Sequence, residues 1–369
     1  LVYSIYSKNK GGNKIMKFEI NTVLLQAVCN KAVKAVSTKD IIPSLKNFLI
    51  EATEDNVKIL AGDSVTYLEK NIPCNDVLET GVTSVDGKDF TKLISKIDSE
   101  TVVIETTDDN KLRVKAGKSK FHLKTIDPSE YVYPENITLV ADGLQANLIE
   151  LQKALKLGSI TVSKNATEVY FTGYKIGKHI VTTNRNNMMV YDMPLTGDDL
   201  LLSPDVVSLI HDLDGDTVTF GYNADFIEFR VPGTRIMGNL ICGIENFPPD
   251  DLLQQFDYQK IGKVTKKDLI PVLERASIFI DSIGAVELNF TPNSILKVQL
   301  VGAHEVDTYE EIPYNGSMDI AINVNVGMLL NICSSLDTDI VEFHLDTKDS
   351  PLLIKAGNYT ALMASMSVE

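Results

Sequence analysis

Cysteine is scarce in this chain, and the four present, Cys29, Cys74, Cys242 and Cys333, stand far apart in apolar surroundings. No Cys-x-x-Cys pair and no histidine at ligand spacing accompanies them, which argues against a disulfide framework or a zinc site and for buried, reduced thiols in a reducing cytosol. Positive charge is short as well. Against 50 Asp and Glu there are 35 Lys and Arg, a net −15 with a pI near 4.8, so a protein coated in nucleic acid is excluded and any DNA role needs locally concentrated charge. No apolar run reaches the ~18 residues of a membrane span. The P-loop, G-x-S-x-G, H-E-x-x-H and G-x-G-x-x-G patterns are missing, and the five histidines are scattered. Catalysis has no visible home: no nucleophile, acid–base pair, metal set or cofactor motif emerges. Asp212, Asp214 and Asp216 alternate in "DLDGDTV" as calcium ligands do. A calcium loop starting there needs glycine at 217 and glutamate at 223, where the chain has Thr217 and Asn223, so the stretch is read as a helix end and an acidic turn.

What the chain has is length and repetition. Its 369 residues suit two or three domains, and 44% hydrophobic with 23% charged residues can bury real cores. "LRVKAGKSKFHLKTI" at 112–126, "FIEFRVPGTRIMGNLICG" at 226–243 and "PLLIKAGNYTALMASM" at 351–366 each follow an apolar, helix-like run closed by Asp98, Asp214 or Asp337. From those aspartates to Gly117, Gly233 and Gly357 the spacing is 19, 19 and 20 residues. The front halves repeat too. "LLQAVCNKAVKAV", "LIELQKALKL" and "LIPVLERASIF" have helical periodicity, lead into the expected strands "NFLIEAT", "EVYFTG" and "AVELNF", and close at Pro73, Pro194 and Pro313. Each unit is then helix, strands, proline, strand, helix, strands, an α+β arrangement of antiparallel sheets covered by helices on one side. The expected units are 16–134, 135–254 and 255–369, with 1–15 an upstream extension and Met16 the expected natural start.

The helices carry the concentrated charge. In the first, Gln26, Asn30 and Lys34 form a polar, cationic stripe and Leu24, Val28, Ala32 and Val36 a packing one. In "GKDFTKLISKI", Lys88, Lys92 and Lys96 recur at every fourth position, and Lys153 and Lys156 mark the polar side of the next helix. Such lysines either meet DNA or simply solvate a helix surface; periodicity alone leaves both readings open.

From Met16 onward the chain resembles the bacterial DNA polymerase III β subunit, the replication sliding clamp. The resemblance rests on "MKFEI", "IIPSLKNFLIEA", "AGKSKFHLKTI" with "DPSEYVYPE", "DMPL", "ENFPPD", "LERAS" and "SPLLIKAGNY", in that order. It implies three similar clamp domains per chain and a head-to-tail homodimer, closed as a ring around duplex DNA with helices inside and sheets outside. Helix size supports two copies independently: six helices of ~10 Å diameter enclose a hole of only ~9 Å, whereas twelve enclose ~28 Å. A ring is held by topology, so weak, sequence-independent phosphate contacts suffice and permit sliding. Lys39 matches a basic DNA-contacting position of the family, while Lys34, Lys88, Lys92, Lys96 and Lys153 are assigned to DNA from their helical faces. The resemblance places Phe121 and Leu123 against Ile278 and Phe279 of the second copy. It further implies an apolar pocket for short peptides of DNA polymerase and the clamp loader, lined by Ala166, Thr183, Arg185, Met188, Pro248, Leu362, Met363, Ala364 and Met366. Where the family usually has "TDGHRLA" this chain reads "TTNRNNMMV", and Ser365 and Ser367 replace a proline and an arginine, so a shifted partner specificity in a divergent member is expected.

The leading expectation is a non-enzymatic, cytoplasmic processivity factor that needs no metal or cofactor and no membrane. The alternative is a divergent clamp-fold or β-rich repeat scaffold that binds protein or carbohydrate without encircling DNA.

Overall fold

A computed structural model describes residues 3–5, 15–36, 42–134, 137–164, 167–256, 258–279, 284–301, 309–316 and 318–367. Lys39 and Ala166 lie outside them. Six helices are described, two for each repeat: α1 (Thr22–Ala32), α2 (Gly87–Ile94), α3 (Leu148–Gly158), α4 (Pro204–Ile210), α5 (Lys266–Ile278) and α6 (Val326–Ser335). Four of their starts are fixed by single side chains. The side-chain oxygens of Asn21, Asp86, Ser203 and Asn325 accept from the backbone N–H groups of Leu24, Asp89, Val206 and Met328 at 3.1, 2.8, 3.2 and 2.9 Å, satisfying donors that the first turn leaves open.

The chain forms two bodies, Leu1–Ile149 with Ser203–Leu240 and Glu150–Leu202 with Ile241–Glu369. The second repeat thus contributes α4 and its following strands to the first body and most of α3 to the other. The first body holds an antiparallel sheet of 13 strands, running from Ala141–Asn147 at one edge to Asp76–Glu79 at the other, and a two-stranded sheet of Tyr3–Ile5 with Val132–Pro134. The second holds sheets of nine and four strands. Alternating burial, such as iBiBi over Lys17–Asn21 and BiBiBe over Ile320–Asn325, gives these strands one inward face, whereas Asn47–Ala52 and Ile180–Thr183 are buried on both. The three glycines found by spacing each sit in a two-residue hairpin turn with φ of +56°, +70° and +58° at Gly117, Gly233 and Gly357, backbone that a residue with a Cβ enters at a cost.

Four expectations change. The buried row of α1 is Leu25, Val28, Cys29 and Ala32, with Leu24 only half-buried, because a 3.6-residue turn drifts off a strict four-residue stripe. Gln26 is not on a solvent face: its amide donates to the carbonyls of Ile94 and Ile97 at 3.0 and 2.9 Å, capping the end of α2. "EVYFTG" yields a 3-10 turn at Val169–Thr172, since Tyr170 and Phe171 both turn inward, which successive strand residues cannot do. Finally, Cys29 and Cys333 are buried, and burial pushes the Cys333 thiol up to about 12, but Cys242 is exposed in the loop after the strand Thr234–Asn239.

Candidate functional site

The helix lysines separate into two groups. Lys88 and Lys92 emerge on the exposed side of α2, with Phe90, Thr91 and Ile94 turned inward, and Lys96 is exposed in the turn just after the helix. Lys92 approaches Asp89 at 3.6 Å, while Lys88 and Lys96 enter no ion pair among the described residues. Lys34 sits in the 3-10 turn Val33–Ala35 after α1, and its Nζ contacts both carboxylate oxygens of Asp212 at 2.7 and 2.9 Å. Its neighbour Lys31 meets Asp214 at 2.6 Å, and Lys153 of α3 meets Asp337 at 3.0 Å. Two of the aspartates that marked the repeat, Asp214 and Asp337, are therefore the partners of Lys31 and Lys153, a relation visible as spacing in the sequence but not as pairing.

Of the residues expected to line a peptide pocket, Met188 and Leu362 meet in the second body, in an apolar cluster with Val181, Leu201 and Phe247, while Met363, next along its strand, turns to the other face of the sheet. The strand Asn187–Tyr191 pairs with Tyr359–Met363, which sets Met188 opposite Leu362 and Asn187 opposite Met363. Met188, Met363 and Thr183 are buried; Pro248, Leu362, Ala364 and Met366 are half-buried, and Arg185 is exposed. Thr183 fixes the turn that presents Arg185: its hydroxyl donates to the Asn187 carbonyl at 2.7 Å and accepts from the Arg185 amide at 3.1 Å. Beyond the strand, the Ala364 amide donates to the Asn186 carbonyl at 3.2 Å and the Met366 amide to the Asn323 carbonyl at 2.8 Å, tethering the C-terminal segment. Phe171, Phe247, Leu252 and Leu253 join this site, and sequence reasoning missed them. The signal for the leucines was a "DLLQQF" apolar pair in an otherwise polar linker. Lys175 is buried beside the cluster, 3.1 Å from Asp199 and 6.0 Å from the centre of the Phe247 ring.

Two strand junctions join different repeats, and they share one register. Thr66–Pro73 pairs with Thr234–Asn239, Lys70 lying opposite Thr234, and the Asn71 amide donates to the Gly233 carbonyl at 2.8 Å. Asn187–Tyr191 pairs with Tyr359–Met363, Tyr191 lying opposite Tyr359, and the Asp192 amide donates to the Asn358 carbonyl at 2.9 Å. In both, the residue three before the repeat proline, Pro73 or Pro194, faces the first residue after the hairpin turn. Two strands in the corresponding positions have an open edge among the described residues: Ser119–Lys124, paired on one side to Lys111–Ala116, and Tyr309–Pro313, paired on one side to Ile295–Val301. Around them Phe121, Ile278, Phe279 and Tyr309 are 38%, 72%, 47% and 61% exposed, which is unusual for large apolar side chains, and Leu123 is half-buried. A groove of ≈ 280 Å³ runs between α5 and the Tyr309 edge, with Phe279, Val298 and Leu300 in its wall.

Residues 16–137 match the family model for the DNA polymerase III beta subunit, N-terminal domain. The chain is 22% identical to the beta sliding clamps of Mycoplasma capricolum and Staphylococcus epidermidis, over 92% of its length and 95% and 96% of theirs. Among solved structures, the DNA polymerase sliding clamp from Bacillus subtilis superposes with a TM-score of 0.86 at 19% identity, covering 96% of this chain and 100% of that one. The DNA polymerase III beta subunit of Thermotoga maritima gives 0.83 at 16% identity over the same shares. No helix among the described residues is long and apolar enough to cross a membrane.

Proposed function

We propose that this chain, which has the fold of the bacterial β sliding clamps and resembles the DNA polymerase III β subunit along its length, is a DNA sliding clamp: a non-catalytic ring that encircles duplex DNA and tethers polymerase to it. The observation that carries this reading is the clamp fold over 96% of the chain, in which every repeat supplies two helices. A repeat scaffold that never encircles DNA is the weaker reading, because it leaves the lysine-bearing face of α2 without a purpose. The three domains are 16–134, 135–254 and 255–369, and the site of action is the bacterial cytoplasm, where the chromosome lies.

Ring closure takes a second copy. The register shared by the two internal junctions, carried to the third, sets Ser119 of one copy opposite Glu310 of the other, and the Glu311 amide against the Lys118 carbonyl. This pairs both open edges, hides Phe121, Ile278, Phe279 and Tyr309, and brings the basic Lys118–Lys124 stretch to an acidic strand. The contact is heterologous, and two copies are the number whose twelve helices enclose a hole wide enough for a duplex. Lys88, Lys92, Lys96, Lys34, Lys39 and Lys153 face the phosphates. The apolar cluster around Met188 and Leu362 receives hydrophobic anchors of short peptides from DNA polymerase and the clamp loader.

The test is topological. Loaded on nicked circular DNA, the protein stays bound at moderate salt and runs off when the circle is cut. Equal retention on circular and linear DNA would show surface binding and defeat the clamp reading.

A further inference from the structure

Three lysines on or just after the helices that open the first two repeats are already occupied. Lys31 contacts Asp214, Lys34 contacts Asp212 through both oxygens, and Lys153 contacts Asp337, at 2.6 to 3.0 Å. The arrangement recurs in both bodies. In each, a helix that opens one repeat offers a lysine to the acidic turn that follows the second helix of the next repeat, α1 to the turn after α4 and α3 to the turn after α6. A fixed turn aspartate at the same repeat position, twice partnered in the same way, is not a chance surface contact.

The pairs are also easy to break. Lys31, Lys34 and Lys153 are 32%, 48% and 36% exposed, and Asp214 and Asp337 are 79% and 70% exposed, while Asp212 at 23% is the most sheltered of the three carboxylates. Ion pairs that wet are weak, so a phosphate can displace the carboxylate, but the displaced carboxylate stays nearby and repels it. Lys70 tightens the crowd around the first pair. Its Nζ donates to the Thr234 hydroxyl at 2.5 Å, and its pKa is held down by burial and by Lys31.

On the clamp reading above, we propose that Asp212, Asp214 and Asp337 are resident counter-ions that cancel part of the attraction of the helix lysines for DNA. They leave a duplex enclosed but loosely held. A bare lysine face would bind phosphate by counterion release, and each contact would slow sliding. With the carboxylates in place, a lysine that takes a phosphate gives up a partner of its own. Lys88 of α2 and Lys96 just after it, which enter no ion pair among the described residues, then carry the persistent contact.

The experiment compares wild type with the Asp212→Asn/Asp214→Asn/Asp337→Asn variant on a short, blunt, fluorescent duplex, by anisotropy across a salt series. The substitutions keep shape and remove charge. Binding tightens about tenfold at low salt, and the log–log salt slope steepens by about one for each lysine released. A second variant, Glu54→Gln/Asp55→Asn/Asp225→Asn, removes the same charge from exposed turns away from these lysines and leaves the slope unchanged. An unchanged slope in the first variant, or an equal change in the second, overturns the counter-ion role. Retention on circles reports separately: wild type lost equally from circular and linear DNA overturns the clamp reading and this inference with it. Normal topological retention with an unaltered slope removes only the inference.

Discussion

Arg185 lies with its guanidinium 5.1 Å from the centre of the Phe171 ring, and the same guanidinium is ion-paired to Glu168. Its backbone is left-handed, with φ of +78°. A long cation is thus held in a turn that suits glycine, between an aromatic face and a carboxylate at the rim of the apolar cluster. Glu168 competes with any acidic residue of an incoming peptide. Glu168→Gln should therefore raise the affinity of an acid-flanked hydrophobic peptide several-fold, and Arg185→Glu should lower it about tenfold while a neutral peptide changes little, since rim charges tune selection. A fluorophore on exposed Cys242, which lies beside the cluster residues Ile241 and Ile244, reads the titration.

Binding energy and stability should separate at this site. Leu253 and Leu362 are partly buried hydrophobics at the cluster, whereas Met363 is 1% exposed. Leu253→Ala and Leu362→Ala should each weaken peptide binding by about 1–2 kcal/mol with small stability loss. Met363→Ala should instead cost about 2–4 kcal/mol of stability, as emptied core sites do. If both leucine variants bind the peptide as wild type does, the pocket is elsewhere.

The register proposed for ring closure can be tested by trapping it. Both internal junctions place a non-hydrogen-bonded pair at this position, Lys70 with Thr234 and Tyr191 with Tyr359, because the adjacent pairs carry the Asn71 and Asp192 hydrogen bonds. Such pairs bring side chains closest. Oxidation of a Ser119→Cys/Glu310→Cys protein in a Cys242→Ser background should give covalent dimers. The Phe121→Cys/Glu310→Cys protein, two residues out of register, should cross-link far less. Equal yields would mean that the edges do not meet in this way.

On α2 and in the turn after it, Lys88→Ala and Lys96→Ala should each reduce the salt slope of duplex binding by about one, with no sequence preference altered. Lys92→Ala should do less, because Asp89 at 3.6 Å already offsets part of its charge. Slopes identical to wild type in all three would remove α2 from the DNA surface.

Much of this was legible because repetition is a property of spacing. Asp98, Asp214 and Asp337 with Gly117, Gly233 and Gly357 located the turns, and the proline series located the strand ends that set the junction register. What stayed hidden was pairing between residues far apart in the chain. Nothing local to Lys34 names Asp212, 178 positions on, and nothing local to Gln26 names the carbonyls of α2. The same holds for Phe171 and Leu253, which reach the Met188 cluster only because a 3-10 turn and a linker fold onto it.

The hairpin that carries the Ser119–Lys124 edge should respond to acid through Glu105. This carboxylate is 6% exposed in the strand Thr101–Thr106, directly between Lys17 and Arg113 of the adjoining strands. Arg113 is in ion-pair contact, and Lys115 and Lys17 stand at 3.0 and 3.7 Å. Burial alone raises its pKa, but Lys115 and Arg113 outweigh burial and leave it below the ordinary glutamate value. A depressed folded-state pKa means that the stabilisation is complete above the unfolded value of ~4.3 and is lost as pH falls through the folded value. Wild-type stability should accordingly decline below about pH 5. Glu105→Gln should cost about 1–2 kcal/mol at neutral pH, because Arg113 and Lys115 lose their partner, and should flatten the decline. Since Arg113 and Lys115 lie on the strand paired to Ser119–Lys124, the variant should also weaken dimerisation in sedimentation at neutral pH. A Glu105→Gln protein with the acid profile of wild type would assign the decline to other carboxylates.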